Sequence, residues 1–207
     1  MEWLFDMETG TLRIKGEGRM PDYGRFLRDR SPWRDVDVLH AIIDEGITSI
    51  GNNAFYGCSK LESISIPSTI ESIGVGAFQG CSSLESMILP PGIKQIPPFA
   101  FYKCKELRKV VLPEGLESIG NDAFAMCRKL SIADIPQSVR DIGNYSFYEC
   151  TSLEYADIGR SVEAVGLSAF HNCVSLRAVL RSYQTDIGEN AFEGVRETVY
   201  NSLGQTA

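Results

Sequence analysis

The chain has no run of apolar residues near the ~20 that a helix needs to span a bilayer. Its start, MEWLFDMETG, has no basic stretch leading into an apolar one, so no secretory signal is visible. The expectation is either a cytoplasmic protein or one whose signal has been removed. Basic charge is scarce as well: 20 Lys and Arg stand against 27 Asp and Glu, a formal charge of −7. Without a Lys/Arg cluster to displace counterions from phosphate, nucleic acid is not an expected partner. The acidic balance favours solubility and, mildly, basic partners. Histidine is limited to His40 and His171, which share no neighbourhood, so neither serves a repeated serine or cysteine as a base. There is no C-x-x-C pair and no His-rich tract, which leaves no zinc site to expect. The lone Gly-x-Gly of IKGEGRM reads as a turn and not a phosphate cradle. No catalytic residue, metal ligand or cofactor is therefore assigned.

What the chain has in plenty is periodicity. Phenylalanines fall at Phe55, Phe78, Phe101, Phe124, Phe147 and Phe170, a constant spacing of 23 residues. The six cysteines keep the same beat, from Cys58 through Cys81, Cys104, Cys127 and Cys150 to Cys173. Leucines follow at Leu61, Leu84, Leu107, Leu130, Leu153 and Leu176, and a proline recurs at Pro67, Pro90, Pro113 and Pro136. The frame extends back without cysteine to Val38, Ala41, Ile43 and Ile47. It extends forward, one residue short, to Ile187, Gly188, Ala191 and Phe192. A period in this range is the signature of stacked repeats.

Written as one unit, the repeat is L-x-x-I-x-I-P-x-x-I-x-x-I-G-x-x-A-F-x-x-C-x-x. Within LESISIP the apolar residues alternate and are β-branched, which predicts a short strand with Ile64 and Ile66 inward and Ser63 and Ser65 outward. Proline ends that strand, and IESIG returns along another side. Gly74 suits a tight corner, and AFQGC is long enough only for a helical turn. One such unit cannot close a core by itself, but stacked neighbours can. The expected fold is a right-handed, mostly β solenoid with short helical or 3-10 turns, whose coils build a curved parallel sheet with strands about 4.8 Å apart.

The pattern LESISIP, STIESIG, VGAFQGC and its copies, from Val38 to Phe192, resembles the leucine-rich repeats of the BspA-like class, found largely in bacterial surface proteins. The segment WLFDMETGTLRIKGEGRMPDY with Pro32-Trp33 is similar to the capping hairpin that often precedes such repeats, with Met-Glu-Thr-Gly as its turn. The expected layout is a cap over 1–37, about seven coils over 38–194 with the first and last irregular, and a C-terminal cap or truncated end over 195–207. In the last unit Arg181 stands at the expected inward apolar position and Val195 at the cysteine position. The resemblance implies a non-enzymatic scaffold for adhesion or for binding a host or partner protein at a cell surface. An intracellular partner-binding or immunity-type protein is the alternative, since a thiol ladder tolerates a reducing compartment.

Equivalent cysteines lie ~5 Å apart on adjacent coils, so disulfides are conceivable. Their place three residues after the Phe and three before the Leu points instead to a reduced, interior ladder. Function is then sought in the outward strand positions, which the stack leaves free to vary. One expected row is His40, Ser63, Ser86, Lys109, Ile132, Tyr155, Ala178; its neighbour is Ile42, Ser65, Ile88, Val111, Asp134, Asp157, Leu180. The candidate partner site comprises Ile88, Lys109, Val111, Ile132, Asp134, Tyr155 and Asp157 on the concave sheet. Its apolar members form a contiguous patch of the kind that marks interfaces, unless another segment covers them. Asp134 and Asp157, at one position on adjacent strands, could serve a basic group or a cation, and their spacing also permits a glycan-binding or glycosidase reading. An open sheet lacks the enclosing cleft that catalysis would need. The alternating row Glu71, Lys94, Glu117, Arg140, Glu163 reads as register and solubility. A monomer binding another protein, with glycan as a further possibility, is the expected assembly.

Overall fold

A computed structural model describes residues 1–26 and 28–200. Each repeat lays one strand on a first sheet, turns near the proline, lays a shorter strand on a second sheet and closes through the Ala-Phe corner. The first sheet runs through His40–Ile43, Ser63–Ser65, Ser86–Ile88, Lys109–Val111, Ile132–Ala133, Tyr155–Ile158, Arg177–Leu180 and Glu197–Tyr200. The second runs through Ile47–Ile50, Ser72–Ile73, Gln95–Ile96, Ser118–Ile119, Asp141–Ile142, Ala164–Val165 and Asp186–Ile187. Where coils pair, they pair in parallel and at the repeat offset: Lys109 lies beside Ser86 on one side and Ile132 on the other. This is a β-solenoid of about seven turns.

The interior is a set of one-residue columns. Phe55, Phe78, Phe101, Phe124, Phe147, Phe170 and Phe192 stack with centroids 5.0 to 5.4 Å apart and planes within 15° of parallel. Parallel rings at that centroid spacing sit offset, as their quadrupoles prefer. All six cysteines are free and buried, so the column is a reduced ladder and not a chain of disulfides. From Cys81 onward, each thiol shown bonded donates to the carbonyl of the Phe 26 residues earlier at 3.0 to 3.2 Å, as Cys81 does to Phe55 and Cys173 to Phe147. A small apolar residue with a weak donor suits that place beside a backbone oxygen.

The corner, expected as a helical turn, holds no helix. Its N–H groups alternate in direction: Ala54, Tyr56 and Cys58 donate to carbonyls three residues back, whereas Asn53, Phe55 and Gly57 donate to Val75, Ala77 and Gln79 of the next coil. The alternation places two residues per corner at positive φ, Asn53 at 52° and Gly57 at 64° in this copy. A helix cannot pass through such residues, and the corner becomes a third ladder between coils.

At the N-terminus, Glu2–Asp6 and Thr11–Lys15 form an antiparallel hairpin around Met7-Glu8-Thr9-Gly10. The Asp6 carboxylate accepts the Glu8 N–H at 2.9 Å and the Thr9 hydroxyl at 2.8 Å. Thr11–Ile14 then pairs in parallel with His40–Ile43. Trp33, fully buried, heads the ring stack 5.8 Å from Phe55 and donates its Nε1–H to the Ala54 carbonyl at 2.8 Å. At the other end Glu197–Tyr200 continues the first sheet beside Arg177–Leu180. The cap or truncated end expected over 195–207 falls partly on 201–207, outside the described residues. Among the described residues, no helix is long and apolar enough to cross a membrane.

Candidate functional site

The outward residues of the first sheet are set by strand alternation: in Lys109–Val111 the central Val110 is buried while Lys109 and Val111 face solvent. The same pattern exposes Ser86 and Ile88 around buried Met87. Four large apolar side chains are thereby presented on consecutive strands: Ile88 at 71% exposure, Val111 at 39%, Ile132 at 45% and Tyr155 at 44%. No described segment covers them. Lys109 and Asp134 are exposed at the edge of this patch. Lys109, Val111, Glu114, Asp134 and Gln137 line a hollow of about 290 Å³ beside it.

Two expected members of these rows are misplaced. Tyr155 pairs with Arg177 and Asp157 with Val179, an offset of 22 residues and not 23. Ala178 and Leu180, expected outward, are buried, and the outward row continues as Arg177 and Glu197. The reason is that Leu176 is followed at once by the strand, where Leu153 is followed first by Glu154. A one-residue slip moves every side chain to the opposite face. The shortening to Ile187 was its visible trace in the sequence.

The slip also moves Arg181 off the expected inward position, which Leu180 fills. Arg181 instead clasps Asp157 in a two-point ion pair, Nε to Oδ1 at 2.8 Å and Nη2 to Oδ2 at 2.6 Å. The fork geometry of guanidinium and carboxylate makes this a directed contact. Asp157, with the Tyr155 phenol beside it, holds the guanidinium proton affinity above its ordinary value. The two aspartates are thus unlike: Asp157 is neutralised, and Asp134 has no ion pair among the described residues. The paired-carboxylate arrangement considered for a cation or glycan loses half its charge. Arg177 and Arg181 are the residues of this face that sequence reasoning missed. Arg177 pairs with Glu197 at 3.1 Å.

Among the described residues, no three His, Cys, Asp or Glu side chains gather where a metal ion could be held. Burial pushes the Cys58 thiol up to about 11 and Cys173 to about 12, and holds Cys81, Cys104 and Cys150 well above the ordinary thiol range. A thiol protonated at neutral pH and shut from solvent is a poor nucleophile. Of the alternating row beside the second sheet, only Arg140 and Glu163 form an ion pair among the described residues, at 3.1 Å and both well exposed. Tyr148 lies 5.3 Å from His171 in parallel stacking, and Arg25 and Arg34 sit over Tyr56, so the corner tyrosines are used in packing between coils.

A Treponema pallidum leucine-rich repeat protein superposes with a TM-score of 0.66 at 24% identity, over 96% of this chain and 82% of that one. A leucine-rich repeat protein from Bacteroides ovatus gives 0.66 at 27% identity, over 94% of this chain and 55% of its own length. A leucine-rich cell surface protein from Faecalibacterium prausnitzii gives 0.51 at 20% identity, over 97% and 74%. No curated protein matches the chain. The model of the BspA type leucine-rich repeat region matches residues 35–154 and 76–199, in six copies, and the chain belongs to that family.

Proposed function

We propose that this protein is a non-enzymatic scaffold that binds another protein through the outward face of its first sheet. The family is one of repeat scaffolds generally used for protein interaction. The observation that carries the reading is the run Ile88, Val111, Ile132, Tyr155, exposed on four consecutive strands. Aromatic and apolar anchors ringed by charge are the usual centre of an interface. Lys109 and Asp134 supply the rim on one side and the Asp157–Arg181 clasp on the other. Adhesion is the biological setting that accords with this reading.

A photo-crosslinking residue placed at Ile132 identifies what docks there, and calorimetry with the purified partner then measures affinity. Ile132→Ser with Tyr155→Ala abolishes binding while the melting curve stays put, because both side chains are solvent-exposed. Undiminished affinity in that variant, alongside a loss on Glu117→Ala at the second sheet, refutes the assignment.

A further inference from the structure

Both sheets break at one place. The second sheet is continuous from Gln95–Ile96 to Asp186–Ile187, and Ser72–Ile73 pairs with Ile47–Ile50, yet Ser72–Ile73 and Gln95–Ile96 share no ladder. The first sheet likewise has no ladder between Ser63–Ser65 and Ser86–Ile88. A further gap in the first sheet, between Ile132–Ala133 and Tyr155–Ile158, is bridged by an unbroken second sheet, so among the described residues only the boundary near residue 84 is open on both.

The sequence supplies the cause. At every other boundary of the second sheet, the glycine after the Ile donates its N–H to the coil before: Gly74 to Ile50, Gly120 to Ile96, Gly143 to Ile119, Gly166 to Ile142, Gly188 to Val165. In the third coil that glycine is Pro97, which has no N–H to give Ile73. Pro98 follows and lacks an N–H as well, at the position where Val75, Asn144 and Leu167 donate to an Asn side chain one coil earlier; the residue one coil before Pro98 is Val75, which offers no side-chain acceptor, so the lost bond is that of Pro97. The N–H groups of Glu71, Glu117, Arg140, Glu163 and Asp186 each reach a carbonyl of the preceding coil, and Lys94 makes no such bond. On the first sheet a single bond, Glu85 N–H to Glu62 O at 3.3 Å, remains. Ile64 and Ile66 are only half-buried here, where Met87, Val110, Ala133 and Ala156 at the position of Ile64, and Leu89, Leu112, Ile135 and Ile158 at that of Ile66, are closed off. A hollow of about 520 Å³ opens between the strands, lined by Ser63, Ile66, Ser86, Ile88 and Pro91 among others.

The corner stays intact. Gly76, Phe78 and Gly80 donate to Pro98, Ala100 and Tyr102, Phe78 stacks on Phe101 at 5.4 Å, and Cys104 donates to Phe78 O.

We infer that this boundary is a hinge built into the solenoid. The capped block of residues 1–83 and the block from 84 onward swing about the Phe-Cys corner, opening and closing the hollow beneath Ile88. Hinges of this kind arise where a few positions absorb the motion between two rigid bodies, and a stack whose coils contact only their neighbours is divided wherever one interface loses its bonds.

Spin-label pairs in the full chain test this. Glu71→Cys with Arg140→Cys spans the boundary, and Glu117→Cys with Asp186→Cys spans an equal number of coils without crossing it. The first pair gives a distance distribution about twofold broader than the second. Adding Pro97→Gly, which restores the N–H opposite Ile73, narrows the first and leaves the second unchanged. Amide exchange in the unlabelled chain adds an independent reading: Lys94 exchanges faster than Glu117, Arg140 and Glu163, and slows in the Pro97→Gly variant. Equal widths for the two pairs, or a Lys94 amide as protected as its equivalents, overturns the hinge.

Discussion

Phe124→Ala tests the claim that the ring stack is the spine of the solenoid. Phe124 is fully buried and lies 5.2 Å from both Phe101 and Phe147, so its removal opens a void walled by two rings. Deleting a buried Phe side chain costs about 3–5 kcal/mol in transfer and cavity terms together. An independent route gives a similar figure: about 1.5–3 kcal/mol for burying the side chain and about 0.5–1.5 for each of two ring pairs. The expected loss is then about 4 kcal/mol. At about 2.1 cal/mol/K per residue, 207 residues have an unfolding entropy near 430 cal/mol/K, so the midpoint falls by about 9 °C if the chain melts as one unit. Phe192→Ala is the control: its ring is half-buried and stacks on Phe170, so about half the loss is expected. Guanidinium titrations followed by circular dichroism, with matched slopes, give both values. The spine reading fails if Phe192→Ala costs as much as Phe124→Ala, or if Phe124→Ala costs under about 1.5 kcal/mol.

Three further outcomes are open to direct measurement. Gly143→Ala places a Cβ 2.7 Å from the Asn121 backbone nitrogen and from the Gly120 carbonyl carbon; it costs about 1–3 kcal/mol by overpacking, read from the denaturation midpoint. Native thiols stay silent to Ellman's reagent at pH 8 and titrate as six only in denaturant, since all are buried. Because burial raises the folded pKa of Cys58 to about 11 and of Cys173 to about 12, the unfolded chain releases thiol protons first as pH rises. Stability supplied by keeping those thiols neutral is whole below the ordinary thiol value near 9, falls above it, and is lost through pH 11 to 12. Cys58→Ala with Cys173→Ala flattens that decline, and an unchanged slope between the two chains refutes the assignment.

The interior was legible because its columns repeat: Phe at one position, Cys three residues on and Leu three beyond that can recur only if each coil stacks on the last. Period-2 alternation likewise placed Val110 inside and Lys109 and Val111 outside. The corner was misread as helical because a short Ala-Phe segment carries no sign of which way its N–H groups point; positive φ at Phe99, Tyr145 and Glu149 is a tertiary demand that those residue types do not advertise. The outward rows were read correctly through Tyr155 and Asp157 and wrongly at Ala178 and Leu180, since a single missing residue inverts the faces. Arg181 was invisible as a partner of Asp157 for the same reason.

Departures from the repeat say more about use than the repeat does. A column that never changes reports only that coils must stack, whereas Pro97 for Gly, Arg181 after a shortened strand and Ile88 for Ser65 each change what one coil offers. These changes are arranged in order along the chain. The candidate contacts Ile88 through Asp157 all lie in the block after residue 84, and the cap and the serine-lined strand lie before it. Motion at the boundary therefore leaves Val111, Ile132, Tyr155 and the Asp157 clasp fixed relative to one another. Ile88 sits at the lip of the hollow, so a partner that seals it over Ile66 binds one position of the hinge better than the others, and only that difference in affinity shifts the equilibrium. The variant Pro97→Gly then separates the two contributions: a partner held by the second block alone keeps its affinity, and one that also grips Ile66 gains or loses in step with the restored ladder.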